Sequence, residues 1–244
     1  MVQVLRSAAR LGADTVARWR GELVPPRRLL ARTSSPLPWE FAAAGRVSLE
    51  CCRLGGLRPG DRFLDIGSGV GRVAIPLTGY LASGGTYIGV DLWPEGIAWC
   101  TKTITPRFPN FTFRYLDLHH DDLNPSGHDP ITDVRLPVDD GTVDFVMVVA
   151  INHLSAQELQ ALVREAGRVL RSGGTYVGTW FVVDDSTRAV LPSAYARVAC
   201  DESVMGVTLA SAHLDLRALH PGSWRGVEGT VSVQDVVIAR KADG

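Results

Sequence analysis

Between residues 39 and 181, short apolar runs alternate with segments of helical period. That alternation restricts the chain to a mostly parallel sheet covered by helices on both faces. The apolar runs are FLDIG (63–67), YIGVDL (87–92), NFTFRYLD (110–117), VDFVMVVA (143–150) and TYVGTWF (175–181). VDFVMVVA is apolar on both faces, as a strand in the middle of a parallel sheet must be. Helices fit 39–54, 71–81, about 94–104, and the stretch from the capping-box pair Ser155 and Glu158 to about Arg171. Residues 118–142 read as a long polar loop, 182–205 as helix and loop, and 213–219 and 230–240 as final strands.

A length of 244 residues suits one large domain or one domain with an appendage. The appendage is at the N-terminus. Residues 1–20 read as a short helix with Val4, Leu5, Ala8 and Leu11 near one face and Arg6, Arg10, Arg18 and Arg20 elsewhere, and 21–38 as a Pro- and Arg-rich connector. Residues 1–54 are therefore expected to form a helical cover, and 55–244 the principal domain. The net charge of -1 provides no basic field for nucleic acid. No apolar run reaches membrane-spanning length, and no long apolar leader opens the chain. Cys51, Cys52, Cys100 and Cys200 have no metal-ligand spacing, so free thiols in a reducing cytoplasm are expected.

The segment FLDIGSGVGR (63–72) narrows the ligand. Its glycines, Gly67, Gly69 and Gly71, lie between a strand and a helix, where backbone can approach a bound molecule. A dinucleotide fingerprint would space the last two glycines three apart, over a pyrophosphate. Here they are two apart, and Asp65 precedes the loop. A pyrophosphate gains nothing from that carboxylate, whereas a cationic amino-acid end does. Asp91 ends the second strand, where a carboxylate can accept from ribose hydroxyls. Asp117 ends the third strand, beside the position of an adenine amino group.

Asp65-x-Gly67-x-Gly69-x-Gly71, then Asp91, then Asp117 resembles the class I S-adenosylmethionine-dependent methyltransferases. The resemblance implies a doubly wound, Rossmann-like α/β fold whose seven-stranded sheet is mostly parallel with an antiparallel last strand. It implies S-adenosyl-L-methionine as cofactor, contacted by Asp65, Gly67, Ser68, Gly69, Gly71, Arg72, Asp91, Leu92, Asp117, Leu118 and Ala150. LDIGSGVGR (64–72), AWC (98–100), TPRFPNFTF (105–113), LNPSG (123–127), INHL (151–154) and HPGSW…QDVV (220–237) are similar to a bacterial O-methyltransferase branch that acts on sugars, polysaccharide precursors and other secondary metabolites. INHL lacks the aromatic residue that relatives often carry before the histidine. The implied acceptor is a small molecule, a saccharide above all, with a methyltransferase of a non-sugar metabolite or a nicotinamide-dependent reductase as rival readings.

Methylating an alcohol requires removal of its proton, so a base is expected near the sulfonium. His153, just past the fourth strand, has the right ordinary pKa and the right place; its alternative is to cap the helix that begins near Ser155. His119, His120, Asp121, Asp122 and His128 cluster after the third strand. Their spacing matches no defined metal motif, and solvated loop polars are the commoner explanation, so no metal ligand is assigned. Trp93, Trp99, Trp180 and Trp224 offer faces for stacking or core packing. No Asn-Pro-Pro-aromatic motif follows the fourth strand, which also disfavours nucleic-acid methylation. The sequence leaves the oligomeric state open.

Overall fold

The computed structural model describes residues 23–81, 84–149, 154–188, 191 and 199–243. In chain order these form α1 (Arg27–Leu30), α2 (Pro38–Leu54), β1 (Arg62–Ile66), α3 (Ala74–Leu77), β2 (Thr86–Asp91), α4 (Pro94–Thr103), β3 (Phe111–Tyr115), β4 (Val143–Val148), α5 (Ala156–Val169), β5 (Leu170–Val183), α6 (Asp185–Arg188), β6 (Ala199–Asp201), α7 (Glu202–Ser211), β7 (Leu214–His220) and β8 (Asp235–Lys241). The sheet runs β3-β2-β1-β4-β5-β8-β7. β1 to β5 are parallel, and β8 is antiparallel to both its neighbours. The expected sheet is present, with one addition: the short strand β6 pairs parallel with the end of β5, off the main path. The order reverses between β1 and β4, so their carboxyl ends frame the crevice of a doubly wound sheet.

Strand alternation divides the core in two. On one face, Phe145, Phe63, Tyr87 and Phe111 form a row, one ring from each of β4, β1, β2 and β3. Their centroids are 5.3, 5.6 and 4.9 Å apart along the row, and each neighbouring pair is in register. Stacked pairs of this kind contribute about 0.5–1.5 kcal/mol each beyond their buried area. The other face carries Leu64, Val146, Tyr176 and Val237, packed in one cluster with Leu162, Val163, Met205 and Leu209 of α5 and α7. α5 starts with the expected reciprocal cap: Ser155 Oγ accepts from Glu158 N at 3.3 Å, and Glu158 Oε2 accepts from Ser155 N at 2.7 Å.

Several boundaries differ from expectation. The helix over 71–81 contracts to α3, because Gly71 takes φ 79°, Pro76 lacks an N–H and Gly79 follows. α5 ends at Val169 and runs directly into a strand five residues earlier than the expected Thr175, since Leu170 is already extended. The strand expected over 230–240 begins only at Asp235. The polar loop 118–142 also contributes core: Ile131, Val134, Leu136 and Val138 are buried with the α5 face. Glu165 holds it there, accepting from Leu136 N at 2.7 Å and from Arg168 Nη2 at 2.6 Å. Among the described residues no helix is long and apolar enough to cross a membrane, and all four cysteines are unbridged.

The carboxyl end of β5 overhangs the sheet and is fastened by one carboxylate. Asp235 is fully buried and accepts from Val182 N (2.9 Å), Gly222 N (2.8 Å), Trp224 Nε1 (3.0 Å) and Arg225 Nε (2.7 Å). Asp235→Ala leaves a guanidinium, an indole and two amides without their acceptor. The expected cost in denaturant unfolding is about 3–5 kcal/mol. A loss below about 1 kcal/mol, the range of ordinary substitutions, would show that the network does not fasten this rim.

Candidate functional site

The site is built where β1 leaves the sheet. Gly67, Gly69 and Gly71 have φ of 86, 51 and 79°, a region that side chains disfavour. Val90 O accepts from the amides of Gly67 and Ser68, at 2.9 and 3.1 Å, which pins the loop to β2. Asp91 completes the attachment: Oδ2 accepts from Gly69 N and Oδ1 from Trp93 N, both at 2.7 Å. α4 closes in from the side, and a Cβ on Gly96 would lie 2.8 Å from Gly69 O. Sequence reasoning gave Asp91 a ligand role and missed this one. The signal was available, because a carboxylate three residues before a helix-opening Pro94 readily accepts from the amides around it. With the Leu92 amide also turned to it, the carboxylate retains one further acceptor site for a ligand hydroxyl.

Asp65 faces the same side as the aromatic row and is fully buried. Tyr87 Oη donates to its Oδ2. Burial raises the Asp65 pKa to about 7, against the lowering effects of the Tyr87 hydrogen bond and the Arg72 guanidinium. Burial also raises the Asp91 pKa, while the amides of Trp93, Gly69 and Leu92 oppose the shift. The half-buried Arg72 donates from Nη1 to Ser34 Oγ at 3.4 Å, and burial lowers its pKa while Asp65 opposes this.

Asp117 lies two residues past β3, exposed, and accepts from Tyr115 Oη at 3.0 Å. Its neighbour Leu118 is buried against the α5-side core, and Leu92 packs at the edge of that cluster. His119 Nε2 lies 3.1 Å from Asp121 Oδ1, while His120 Nδ1 accepts from the amides of Asp122 and Leu123. Among the described residues, no group of three His, Cys, Asp or Glu side chains is placed to hold a metal. Ala150, His153 and the N-terminal helix expected over 1–20 lie outside the described residues.

Among the described residues, three buried side-chain atoms have no hydrogen-bond partner: Asp65 Oδ1, Ser68 Oγ and Trp93 Nε1. All three belong to the glycine loop or to the strand ends beside it. An unpaired buried polar atom costs about 1–3 kcal/mol, so three around one loop mark a ligand-binding locus. An acceptor, a hydroxyl and a donor in that arrangement fit the cofactor implied by the resemblance, whose amino-acid and nucleoside ends carry complementary groups.

The segment from Leu29 to Arg32 packs beside this locus. Leu29 and Leu30 are buried in the same cluster as Val70, Val73 and Trp93. Beyond them, Arg32 lies over the Trp93 ring at 4.8 Å, with Nη1 3.7 Å from Glu95 Oε1, and Nη2 donates to Asp122 O at 3.2 Å.

The Asp65 environment predicts a pH signature. A carboxyl whose folded-state pKa is about 7 supplies stability that is full below its unfolded value near 4 and is lost as pH rises through 7. Asp65→Asn stays neutral throughout and keeps an acceptor for Tyr87. Relative to the variant, the cofactor-free native protein is expected to lose about 2–3 kcal/mol between about pH 5 and about pH 8, measured by denaturant unfolding. A difference independent of pH would mean that Asp65 ionises without penalty.

Comparison with known proteins agrees with this geometry. The model of the family described as "Methyltransferase domain" matches residues 64–178, from the middle of β1 into β5. The cyclase SpnF superposes with a TM-score of 0.61 at 17% identity, covering 87% of this chain and 86% of that one. A TehB-like S-adenosylmethionine-dependent methyltransferase from Corynebacterium glutamicum gives 0.54 at 16% identity, covering 81% and 88%. Geranyl diphosphate C-methyltransferase from Streptomyces coelicolor A3(2), solved with Mg2+, geranyl diphosphate and S-adenosyl-L-homocysteine, gives 0.57 at 16% identity, covering 90% and 88%. At these identities the solved structures establish the shared fold, and the family match adds the domain. The chain carries a methyltransferase domain over residues 64–178 of its Rossmann-like sheet, which makes it an enzyme.

Proposed function

We propose that this enzyme methylates a hydroxyl of a small molecule, a sugar or polysaccharide precursor, in the cytoplasm. The observation that carries the acceptor half of the reading is a cavity of about 180 Å³ at the overhanging end of β5. It is lined by the apolar Val182, Val183, Leu219 and Pro221 and by the charged Asp184, Glu202 and Arg225. A sugar ring pairs with such a surface through its C–H face and its hydroxyl edge. The volume is below the ~300–1,000 Å³ of drug-sized sites, so the cavity suits one ring of an acceptor. It opens at the carboxyl end of the sheet, the end that carries the glycine loop.

Bound S-adenosylmethionine supplies a methyl group on a sulfonium, a good leaving group, so the protein's work is mostly alignment. In our reading Asp65 holds the ammonium, Ser68 and the glycine-loop amides line the amino-acid end, and Arg72 pairs with the carboxylate. Asp91 accepts from the ribose, while Leu92, Asp117, Leu118 and Ala150 border the adenine. His153 would take the proton of the acceptor hydroxyl. A carbon acceptor, as in the S. coelicolor C-methyltransferase, has no hydroxyl proton to remove, which gives the reading its sharpest test.

With labelled cofactor and a panel of mono- and oligosaccharides, phenols and small acids, transfer to a saccharide hydroxyl is expected, and transfer confined to non-sugars would overturn the acceptor class. His153→Ala is expected to lose about 10²–10⁴-fold in turnover while cofactor affinity barely changes. Near-native turnover under saturating acceptor would place the base elsewhere. Asp91→Ala is expected to weaken S-adenosylhomocysteine binding by about 1.5–3 kcal/mol in calorimetric titration, and unchanged affinity in the folded variant would misplace the ribose.

A further inference from the structure

We propose that Trp93 is a cofactor-recognition residue, that its indole N–H donates to an acceptor atom of the nucleoside half, and that Arg32 is the positioning residue that holds the ring. The proposal rests on the reading that the glycine-loop crevice holds S-adenosylmethionine. Trp93 is 3% exposed, and its Nε1 has no acceptor. The indole nitrogen can only donate, so nothing but an acceptor can satisfy it. Buried tryptophans usually find one. Trp180 and Trp224 do so here, on Tyr176 Oη at 3.2 Å and Asp235 Oδ2 at 3.0 Å.

The backbone ties this ring to the nucleoside end of the site. Trp93 N donates to Asp91 Oδ1, the carboxylate at the end of β2 that also fixes Gly69. In an α/β sheet of this kind, the acid at that strand end meets the ribose. Gly96 lets the first turn of α4 press in, and a Cβ there would lie 3.0 Å from Trp93 Cε3. From the solvent side the Arg32 guanidinium covers the ring at 4.8 Å and is itself tied to Glu95 and to the Asp122 carbonyl. The Arg32–Glu95 pair is exposed and weak by itself. Its consequence is steric: the indole is held between α4 and the segment that crosses above it.

The test is calorimetric titration of the full chain with S-adenosylhomocysteine and with 5′-methylthioadenosine, which keeps the nucleoside and lacks the amino-acid end. Native binding of S-adenosylhomocysteine is the control for the underlying reading. Given that binding, Trp93→Phe is expected to weaken both ligands by the same factor, roughly three- to tenfold, the worth of one neutral hydrogen bond. Because phenylalanine also leaves space, the isostere β-(3-benzothienyl)alanine at position 93, which has sulfur in place of N–H, is measured alongside. It should reproduce the loss with the melting temperature unchanged or raised, since it removes an unpaired donor from the free protein. Arg32→Ala should weaken both ligands in the native background and add nothing in the isostere background. Native affinity in the isostere overturns the proposal, and so does a loss seen only with S-adenosylhomocysteine. Additive effects of Arg32→Ala and the isostere overturn the part assigned to Arg32.

Discussion

The Tyr87 hydroxyl donating to Asp65 joins the interior of this protein to its rim. Tyr87 is one ring of the row that crosses four strands, and Asp65 is the last residue of β1 on that face. The row fixes the spacing and register of those strands. The hydroxyl then holds a carboxyl in a place where ionisation is penalised. The glycine loop begins two residues later, and the second rim carboxylate, Asp91, stitches it to β2 through Gly69 N. Packing therefore determines where the loop sits, and the loop determines which polar atoms remain unpaired.

Those atoms connect stability to function. Asp65 Oδ1, Ser68 Oγ and Trp93 Nε1 each lower the stability of the free protein, and each can be satisfied by one ligand in one place. The contrast with Asp235 is direct. That carboxylate is equally buried, yet its backbone, indole and guanidinium partners all come from the chain. One carboxylate fastens the rim; the other keeps an oxygen with no hydrogen-bond partner.

Much of this was legible in the sequence where local chemistry acts alone. The period of VDFVMVVA, the capping box at Ser155 and the loop from Asp65 to Gly71 gave the central strand, the start of α5 and the turn at the crevice. Misjudged segments were those in which distant contacts decide. Ile131 and Leu136 are isolated apolar residues in a polar stretch, and they become core because Glu165 draws their loop onto α5. Helix 71–81 looked continuous because apolar period was weighed above Pro76 and Gly79. Asp117 illustrates the limit at the site: it was expected to end the third strand but lies two residues past it, and only the structure shows its side chain on Tyr115. Trp93 could not be singled out, since nothing in a sequence distinguishes an indole with an acceptor from one without.

The central claim is that Asp65 receives the cationic end of the cofactor. A carboxyl with a pKa of about 7 in the free protein must lose its proton when an ammonium arrives. Calorimetric titration with S-adenosylhomocysteine at about pH 6, in two buffers of different ionisation enthalpy, counts that proton directly. The account predicts release of close to one proton, absent in Asp65→Asn, and an affinity that rises with pH and levels off above about 7. Binding with no proton release and a flat pH dependence would contradict it.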